Sequence, residues 1–377
     1  MRRSTFAKIL LVLFILLPIS CSFNKKPSTS KVYIVALGLC YEGRNFLESP
    51  VRDVVEFTEY YRNILESKNI DYEVYYMLDY AYKEYISDTG YVYVSASDPP
   101  SPYYPTVANL NAVLDTIKEK SSEKDLLVFL YSGHGAETNS IDELTGETVW
   151  TANDNGALCL RGVEEFNGEM IPSLKLNAYM LPNLVEKLKS LPLSKTVIMD
   201  SCFSGALIGS ILDGESVGES IGGKGNAYVA QDNFYKVAFE GLDEVTNFAA
   251  VTASRANETS SEIGSYYDED DGIFNGESHG LLFGSVLEGL GFTHSKVQKF
   301  SSVPSDSAEN QKIHSPLKND LDVYGVLPDV AFMKSLEFST NEIFKISRKA
   351  NKDYNETYGT TQLTQQHFGP VGIKLAW

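Results

Sequence analysis

Five runs of consecutive apolar residues place the strongest constraint on how this chain can fold. They occupy residues 31–41, 72–78, 125–135, 195–202 and 248–254. A strand buried on both faces reads as an unbroken apolar run, and such strands form parallel sheets that helices cover on both sides. Segments with helical spacing of apolar residues alternate with these runs, at residues 51–68, 106–120, 181–191 and 279–290. The pattern predicts an α/β fold with a mostly parallel central sheet and helices on both faces.

A single large domain is expected over residues 31–377. The chain has 377 residues, 43% of them hydrophobic, and no second series of apolar runs stands apart from the first. Four long stretches between core elements are rich in Gly, Ser, Asn and acidic residues, and we expect them to be less ordered surface insertions. They are residues 138–172, 207–244, 268–277 and 293–316.

The N-terminus has the pattern of an export signal. Basic residues precede an apolar run over residues 9–19, which is too short to span a bilayer as a stable helix. Cys21 follows a small residue at the expected cleavage point, and this arrangement resembles the lipobox of bacterial lipoproteins. Pro18 departs from that pattern, which usually has Leu three residues before the cysteine.

We therefore expect residues 1–20 to be a signal peptide of the lipoprotein type and Cys21 to carry the lipid. Residues 21–30 are polar and small, which suits a tether to the domain. The protein would be exported and lipid-anchored to a bacterial membrane, on its periplasmic or cell-surface side. An ordinary signal peptide with an incidental cysteine remains the alternative.

The charge of the chain disfavours nucleic acid as a partner. Fifty acidic residues against 32 basic ones give a formal net charge of -18. Such a surface repels phosphate backbones and favours cationic substrates. Without Cys21, the chain keeps Cys40, Cys159 and Cys202, which form neither a disulfide framework nor a metal-binding pair.

Two of the predicted strands end in residues that can act together as a nucleophile and a base. His134 follows the third strand between Gly133 and Gly135, and Cys202 follows the fourth. The carboxyl ends of neighbouring parallel strands lie at the same edge of a sheet, where ligands bind in open α/β folds. A histidine can hold a cysteine as thiolate. Because glycine has no side chain, the backbone amides beside it stay accessible and can bind a developing oxyanion.

The residues around these positions resemble a known family. The sequences YSGHG at 131–135 and DSCFSG at 200–205 are similar to the two catalytic motifs of caspase-like cysteine peptidases, in the metacaspase and bacterial caspase-like branch. Phe203 departs from metacaspases, which commonly have His there, and matches bacterial relatives. Further segments resemble the family in the same order along residues 31–377; they are residues 49–61, 249–262, 278–290 and 360–370.

The resemblance implies a caspase-like fold and a thiol endopeptidase. Cys202 would be the nucleophile, His134 the general acid–base, and the amides of Gly135 and Cys202 the oxyanion hole. Asp53 and Asp200 would line the S1 pocket, so that protein or peptide substrates are cut after Arg or Lys. Asp53 as a solvated or capping acid, and Asp200 as a carboxylate satisfied by local amides, are the simpler alternatives.

Other functions are compatible with the same residues. A clostripain-, gingipain- or legumain-like peptidase would have a different P1 preference, and a binding or scaffold protein would keep the fold without turnover. No cofactor is implied; some metacaspases need calcium, but the acidic stretch at 266–272 lacks EF-hand spacing and suits a solvated turn. Lys224, in a Gly-rich insertion, is a candidate site of self-processing.

The remaining histidines are not assigned to a site by the sequence. His279 stands at a helix start, and we expect it to lie on the surface. His294, His314 and His367 show no spacing that suggests metal ligands.

Overall fold

A computed structural model describes residues 31–41, 47–86, 90–95, 101–136, 156–211, 247–255, 258–268, 273–295, 297–305, 311–367 and 373–376. Several expectations fall outside these ranges and stay predictions: the signal peptide over 1–20, Cys21, the tether over 21–30, and Lys224. None of the helices within the described ranges has the length and hydropathy that crossing a membrane requires.

The centre of the molecule is a seven-stranded sheet in the order β14-β2-β1-β5-β9-β10-β16. Six strands run parallel, and the edge strand β16 pairs antiparallel with β10. The seven strands are β1 (Val32–Gly38), β2 (Tyr72–Leu78), β5 (Leu126–Ser132), β9 (Ser194–Asp200), β10 (Phe248–Thr252), β14 (Ile313–His314) and β16 (Gln365–His367). All five apolar runs of the sequence lie in this sheet, which confirms the predicted α/β class.

Helices cover both faces of the sheet, because successive residues of a strand point to opposite sides. In β5, for example, Val128 and Leu130 belong to one core cluster, and Phe129 and Tyr131 belong to the other. The helices α1, α5, α6 and α7 contribute to the first cluster, and α2 and α3 contribute to the second. The helices are α1 (Pro50–Ser67), α2 (Val107–Lys120), α3 (Leu181–Lys189), α4 (Ala206–Ile211), α5 (Leu281–Gly289), α6 (Val330–Ser335) and α7 (Thr340–Tyr358).

The helix starts follow ordinary capping chemistry. Thr106, expected as a cap from the sequence, accepts a hydrogen bond from the Asn109 amide at 3.1 Å at the start of α2. Ser339 caps α7 in the same way, and Gly359 ends that helix in the left-handed conformation that glycine adopts without strain.

The expected insertions contain more regular structure than the sequence suggested. Small antiparallel sheets form within them and around the central sheet, as β3–β4, β6–β7–β8, β11–β12 and β13–β15. Their strands are β3 (Tyr80–Ile86), β4 (Gly90–Ser95), β6 (Gly135–Ala136), β7 (Ala157–Phe166), β8 (Glu169–Met180), β11 (Glu262–Asp268), β12 (Ile273–Gly280), β13 (Lys299–Val303) and β15 (Leu321–Tyr324). Strands β7 and β13 and parts of β8 and β12 lie in the stretches that were expected to be less ordered. The expectation was wrong for these segments, because local hairpin pairing satisfies backbone groups where apolar periodicity is weak.

Candidate active site

The two motif loops meet at one edge of the central sheet. Strands β5 and β9 are in register, with Ser132 beside Asp200, so His134 and Cys202 each lie two residues beyond a directly paired position. The Gly133 amide donates to the Asp200 carbonyl at 3.3 Å. A Cβ placed on Gly135 would lie 1.9 Å from the Cys202 carbonyl oxygen. The structure thus brings these loops together, and Gly135 permits an approach that any side chain would prevent.

Two buried tyrosines hold the backbone of His134. The His134 amide donates to the Tyr41 hydroxyl at 2.9 Å, and the Tyr131 hydroxyl donates to the His134 carbonyl at 2.6 Å. The imidazole lies against the Tyr41 ring, with 4.7 Å between ring centroids. Tyr41 in turn donates to the Cys159 carbonyl at 2.7 Å. These contacts fix the position of the His134 backbone just after the end of β5.

A buried ion pair stabilises the backbone turn that positions Tyr41. Tyr41 has a φ of +58°, a conformation that is uncommon for a residue with a side chain. The Asp79 carboxylate accepts the amides of Cys40 and Tyr41 at 2.7 and 2.8 Å, and Arg161 donates to the same carboxylate at 3.0 Å. The left-handed turn is therefore held by charge-assisted hydrogen bonds.

Cys202 differs from the other two described cysteines in its exposure. Cys40 and Cys159 are buried, while Cys202 is partly exposed, and all three are free thiols. Burial raises the pKa of the Cys40 and Cys159 thiols, which makes them poor nucleophiles. The following residue, Phe203, has a φ of +57° and donates its amide to the Glu258 carbonyl at 2.8 Å. This hydrogen bond joins the loop after Cys202 to the segment after β10.

Asp53 and Asp200 form a buried carboxylate pair beside this edge. Both are at least 96% buried. A Cβ on Gly280 would lie 2.3 Å from one Asp200 oxygen and 3.0 Å from one Asp53 oxygen, so both carboxylates pack closely against the Gly280 backbone. Asp53 is therefore not a solvated acid at a helix start.

Neutral donors surround both members of this pair. Asp53 accepts from the Ser132 hydroxyl at 2.7 Å and from the Gly280 amide at 3.1 Å. Asp200 accepts the amide of Leu282 at 3.0 Å, at the positive N-terminal end of α5. These amides come from a distant part of the sequence rather than from the neighbours of Asp200.

The environment disfavours two negative charges at this place. Burial raises the pKa of Asp53 to about 7. Burial, and next the charge of Asp53, raise the pKa of Asp200 well above its ordinary value. Two adjacent carboxylates in a buried site either share a proton or attract a cation.

His279 was expected on the surface, and that expectation was wrong. Its side chain is buried, because β12 delivers it between α1 and the segment after α5. Its Nδ1 lies 2.9 Å from an Asp53 oxygen, and its Nε2 lies 3.5 Å from Glu56 Oε2. Nδ1 of His294 lies 3.2 Å from the same Glu56 oxygen.

Sequence patterns do not predict this Glu56–His279–His294 cluster, since its members come from three separate segments. One signal was available: Glu56 follows Asp53 by three residues, which places both on one face of α1. The two other histidines behave differently. His314 lies 3.1 Å from Glu73 and stacks on Tyr75, and His367 lies on β16.

Both motif loops lie in a segment that matches a known peptidase family. Residues 35–211 match the family model of the metacaspase peptidase C14 domain. This part of the chain is thus a metacaspase-type peptidase domain, and the protein is a cysteine-type peptidase. The matched segment contains Asp53, His134, Gly135, Asp200 and Cys202.

Two further comparisons add little to this assignment. No curated protein matches the sequence. A solved structure of a Geobacter sulfurreducens protein is similar at 15% identity and a TM-score of 0.35, covering 68% of this chain and 81% of the other. A likeness of that size carries no argument about fold or function.

Proposed function

We propose that the protein is a cysteine endopeptidase that cuts peptide bonds after Arg or Lys, through a dyad of Cys202 and His134. The observation that carries the specificity is the buried pair of Asp53 and Asp200 beside the motif loops. The observation that supports the dyad is the close approach of the loop after β5 to the loop after β9.

The dyad accounts for both halves of the reaction. The Cys202 thiolate attacks the scissile carbonyl carbon, and the carbonyl electron pair moves to the oxygen, which accepts hydrogen bonds from the amides of Gly135 and Cys202. Collapse of this intermediate breaks the C–N bond, and His134 gives its proton to the leaving amine. Water then attacks the thioester while His134 takes a proton from it, and the acid product leaves with the thiolate restored.

The carboxylate pair selects the residue before the cut. A guanidinium or ammonium between Asp53 and Asp200 replaces the proton that burial otherwise favours, and it gains charge-assisted hydrogen bonds in a site that excludes water. A neutral or acidic side chain would leave the same carboxylates uncompensated. The formal charge of -18 adds a long-range attraction for basic peptides.

The test is a panel of fluorogenic peptides that differ only at P1. We expect cleavage after Arg and Lys that is absent in Cys202→Ala and in His134→Ala. Asp53→Asn should reduce cleavage after Arg while thiol alkylation continues, because it removes charge from the pocket and leaves the nucleophile. Cleavage after another residue would favour the clostripain-, gingipain- or legumain-like alternative, and no cleavage with an unreactive thiol would favour a scaffold.

The same assay addresses ions. We propose that the reaction steps at Cys202 use no cofactor; equal activity with added calcium and without calcium supports this, and activity restored only by calcium contradicts it.

We propose in addition that the protein is exported and lipid-anchored through Cys21. The basic residues, the apolar run over residues 9–19 and the cysteine after a small residue support this placement. Fatty-acid labelling of expressing cells should mark the wild-type protein and leave Cys21→Ala unlabelled. Equal labelling of both proteins would contradict lipidation at Cys21.

A further inference from the structure

The strongest unassigned feature of the molecule is the Glu56–His279–His294 cluster behind the carboxylate pair. One ligand atom from each residue lies within 4.8 Å of the others. Glu56 and His279 are buried, and the His294 side chain is 16% exposed. The ring centroids of the two histidines are 4.2 Å apart.

The two distances that join the histidines to Glu56 fit a tetrahedral ion. Glu56 Oε2 lies 3.5 Å from His279 Nε2 and 3.2 Å from His294 Nδ1. Zinc bonds of about 2.0–2.1 Å at tetrahedral angles place ligand atoms about 3.3 Å apart. Both imidazoles face the same Glu56 oxygen, whereas Arg52 lies 4.0 Å from the other one. The carboxylate can therefore keep its contact with Arg52 and bind a metal through Oε2.

A buried nitrogen is left without a partner at the centre of this cluster. Nε2 of His279 makes no hydrogen bond within the described part of the chain, although His279 is 97% buried. Buried polar atoms almost always have partners, so such an atom calls for an unseen water or ion. It faces Glu56, where the proposed ion would lie.

The other nitrogen of His279 has the partner that metal-binding histidines usually have. Nδ1 lies 2.9 Å from the Asp53 carboxylate. A carboxylate on the far nitrogen fixes the ring orientation and the tautomer that presents a lone pair on Nε2. The Asp53–His279–metal arrangement has the form of the carboxylate–histidine–zinc units found in metalloproteins.

We propose that Glu56, His279 and His294 bind a divalent transition ion of the zinc class. Two imidazole nitrogens and one carboxylate oxygen suit zinc, whereas calcium and magnesium prefer oxygen ligands throughout. The three side chains leave a fourth position for water. The ion would hold His279 in place and so orient Asp53 within the carboxylate pair, at a site separate from the catalytic thiol.

The experiment measures zinc binding in a Cys202→Ala background, which removes the thiol as a competing ligand. The protein is freed of metal with a chelator and titrated with zinc against a chromophoric indicator. We expect one tight equivalent, and we expect affinity to fall by more than about 100-fold in Cys202→Ala/His294→Gln, beyond what losing an outer-shell partner costs. Zinc should also raise the melting temperature of the Cys202→Ala protein and leave that of Cys202→Ala/His294→Gln unchanged.

His314→Gln in the same background is the matched control. His314 has a side-chain exposure of 17% and contacts Glu73, away from the cluster. The Cys202→Ala/His314→Gln protein should bind zinc as tightly as the Cys202→Ala protein does. Absence of a tight equivalent, or equal affinity with and without His294, would overturn the proposal. If His294→Gln impairs folding, Glu56→Gln provides the same comparison. Cobalt in place of zinc then reports whether tetrahedral coordination is lost in the variant.

Discussion

The contact between Gly135 and Cys202 gives a sharp prediction about catalysis. In Gly135→Ala, the new Cβ would lie 1.9 Å from the Cys202 carbonyl oxygen and 3.0 Å from its carbonyl carbon. Both atoms belong to the backbone, so no side chain can rotate away. The two loops must separate by about 1 Å, and a displacement of that size costs about 100-fold in rate. This corresponds to about 2.7 kcal/mol of transition-state stabilisation.

The assay compares kcat/KM on the best peptide of the P1 panel, with the rate of thiol alkylation and the melting temperature measured beside it. Gly289→Ala is the matched control, because its Cβ would meet the side chain of Ile346, which can move, near the far end of α5. It should lose some stability and keep its kcat. A folded Gly135→Ala protein with activity within about threefold of wild type would refute the reasoning.

Three further predictions follow from buried groups. Replacing Arg161 with Met leaves Asp79 buried without a cationic partner, so the free energy of unfolding in urea should fall by about 3–5 kcal/mol; a loss below about 1 kcal/mol would contradict this. Burial lowers the pKa of Lys195 to about 8, below the ordinary value of about 10.4, so the unfolded chain binds more protons between these pH values. The free energy of unfolding should therefore rise from about pH 8 to about pH 10, and Lys195→Met should remove that rise. If the variant shows the same rise, the pH dependence comes from other groups. In Gly280→Ala the new Cβ would lie 2.3 Å from an Asp200 oxygen, so cleavage after Arg should be lost while alkylation of the catalytic thiol continues. Retained cleavage after Arg would show that Gly280 does not contribute to the S1 pocket.

The central sheet was predictable because its strands are buried on both faces. In β1, Ile34 and Val35 point into opposite cores, so no polar alternation interrupts the run. The short edge strands were not predictable in the same way. β14 has two residues and β16 has three, and both form by pairing with an existing edge rather than from a pattern of their own.

The candidate site was predictable only where its residues follow strands. His134 and Cys202 stand at fixed offsets after β5 and β9, and parallel pairing places them at one edge. His279 and His294 come from a hairpin end and from the segment after α5, so their meeting on Glu56 depends on tertiary packing. The support of His134 by Tyr41 is of the same kind, since it depends on a left-handed turn that the local sequence does not mark.

The claim that Cys202 and His134 act together on basic substrates has a direct test in covalent labelling. A peptidyl chloromethyl ketone ending in Arg is incubated with the wild-type protein and with His134→Ala, and the modified residue is located by mass spectrometry. A matched reagent ending in Asp serves as the comparison. We expect rapid labelling of Cys202 by the Arg reagent alone, slowed by about 100-fold or more without His134. Labelling at another residue, or equal rates with both reagents, would contradict the account.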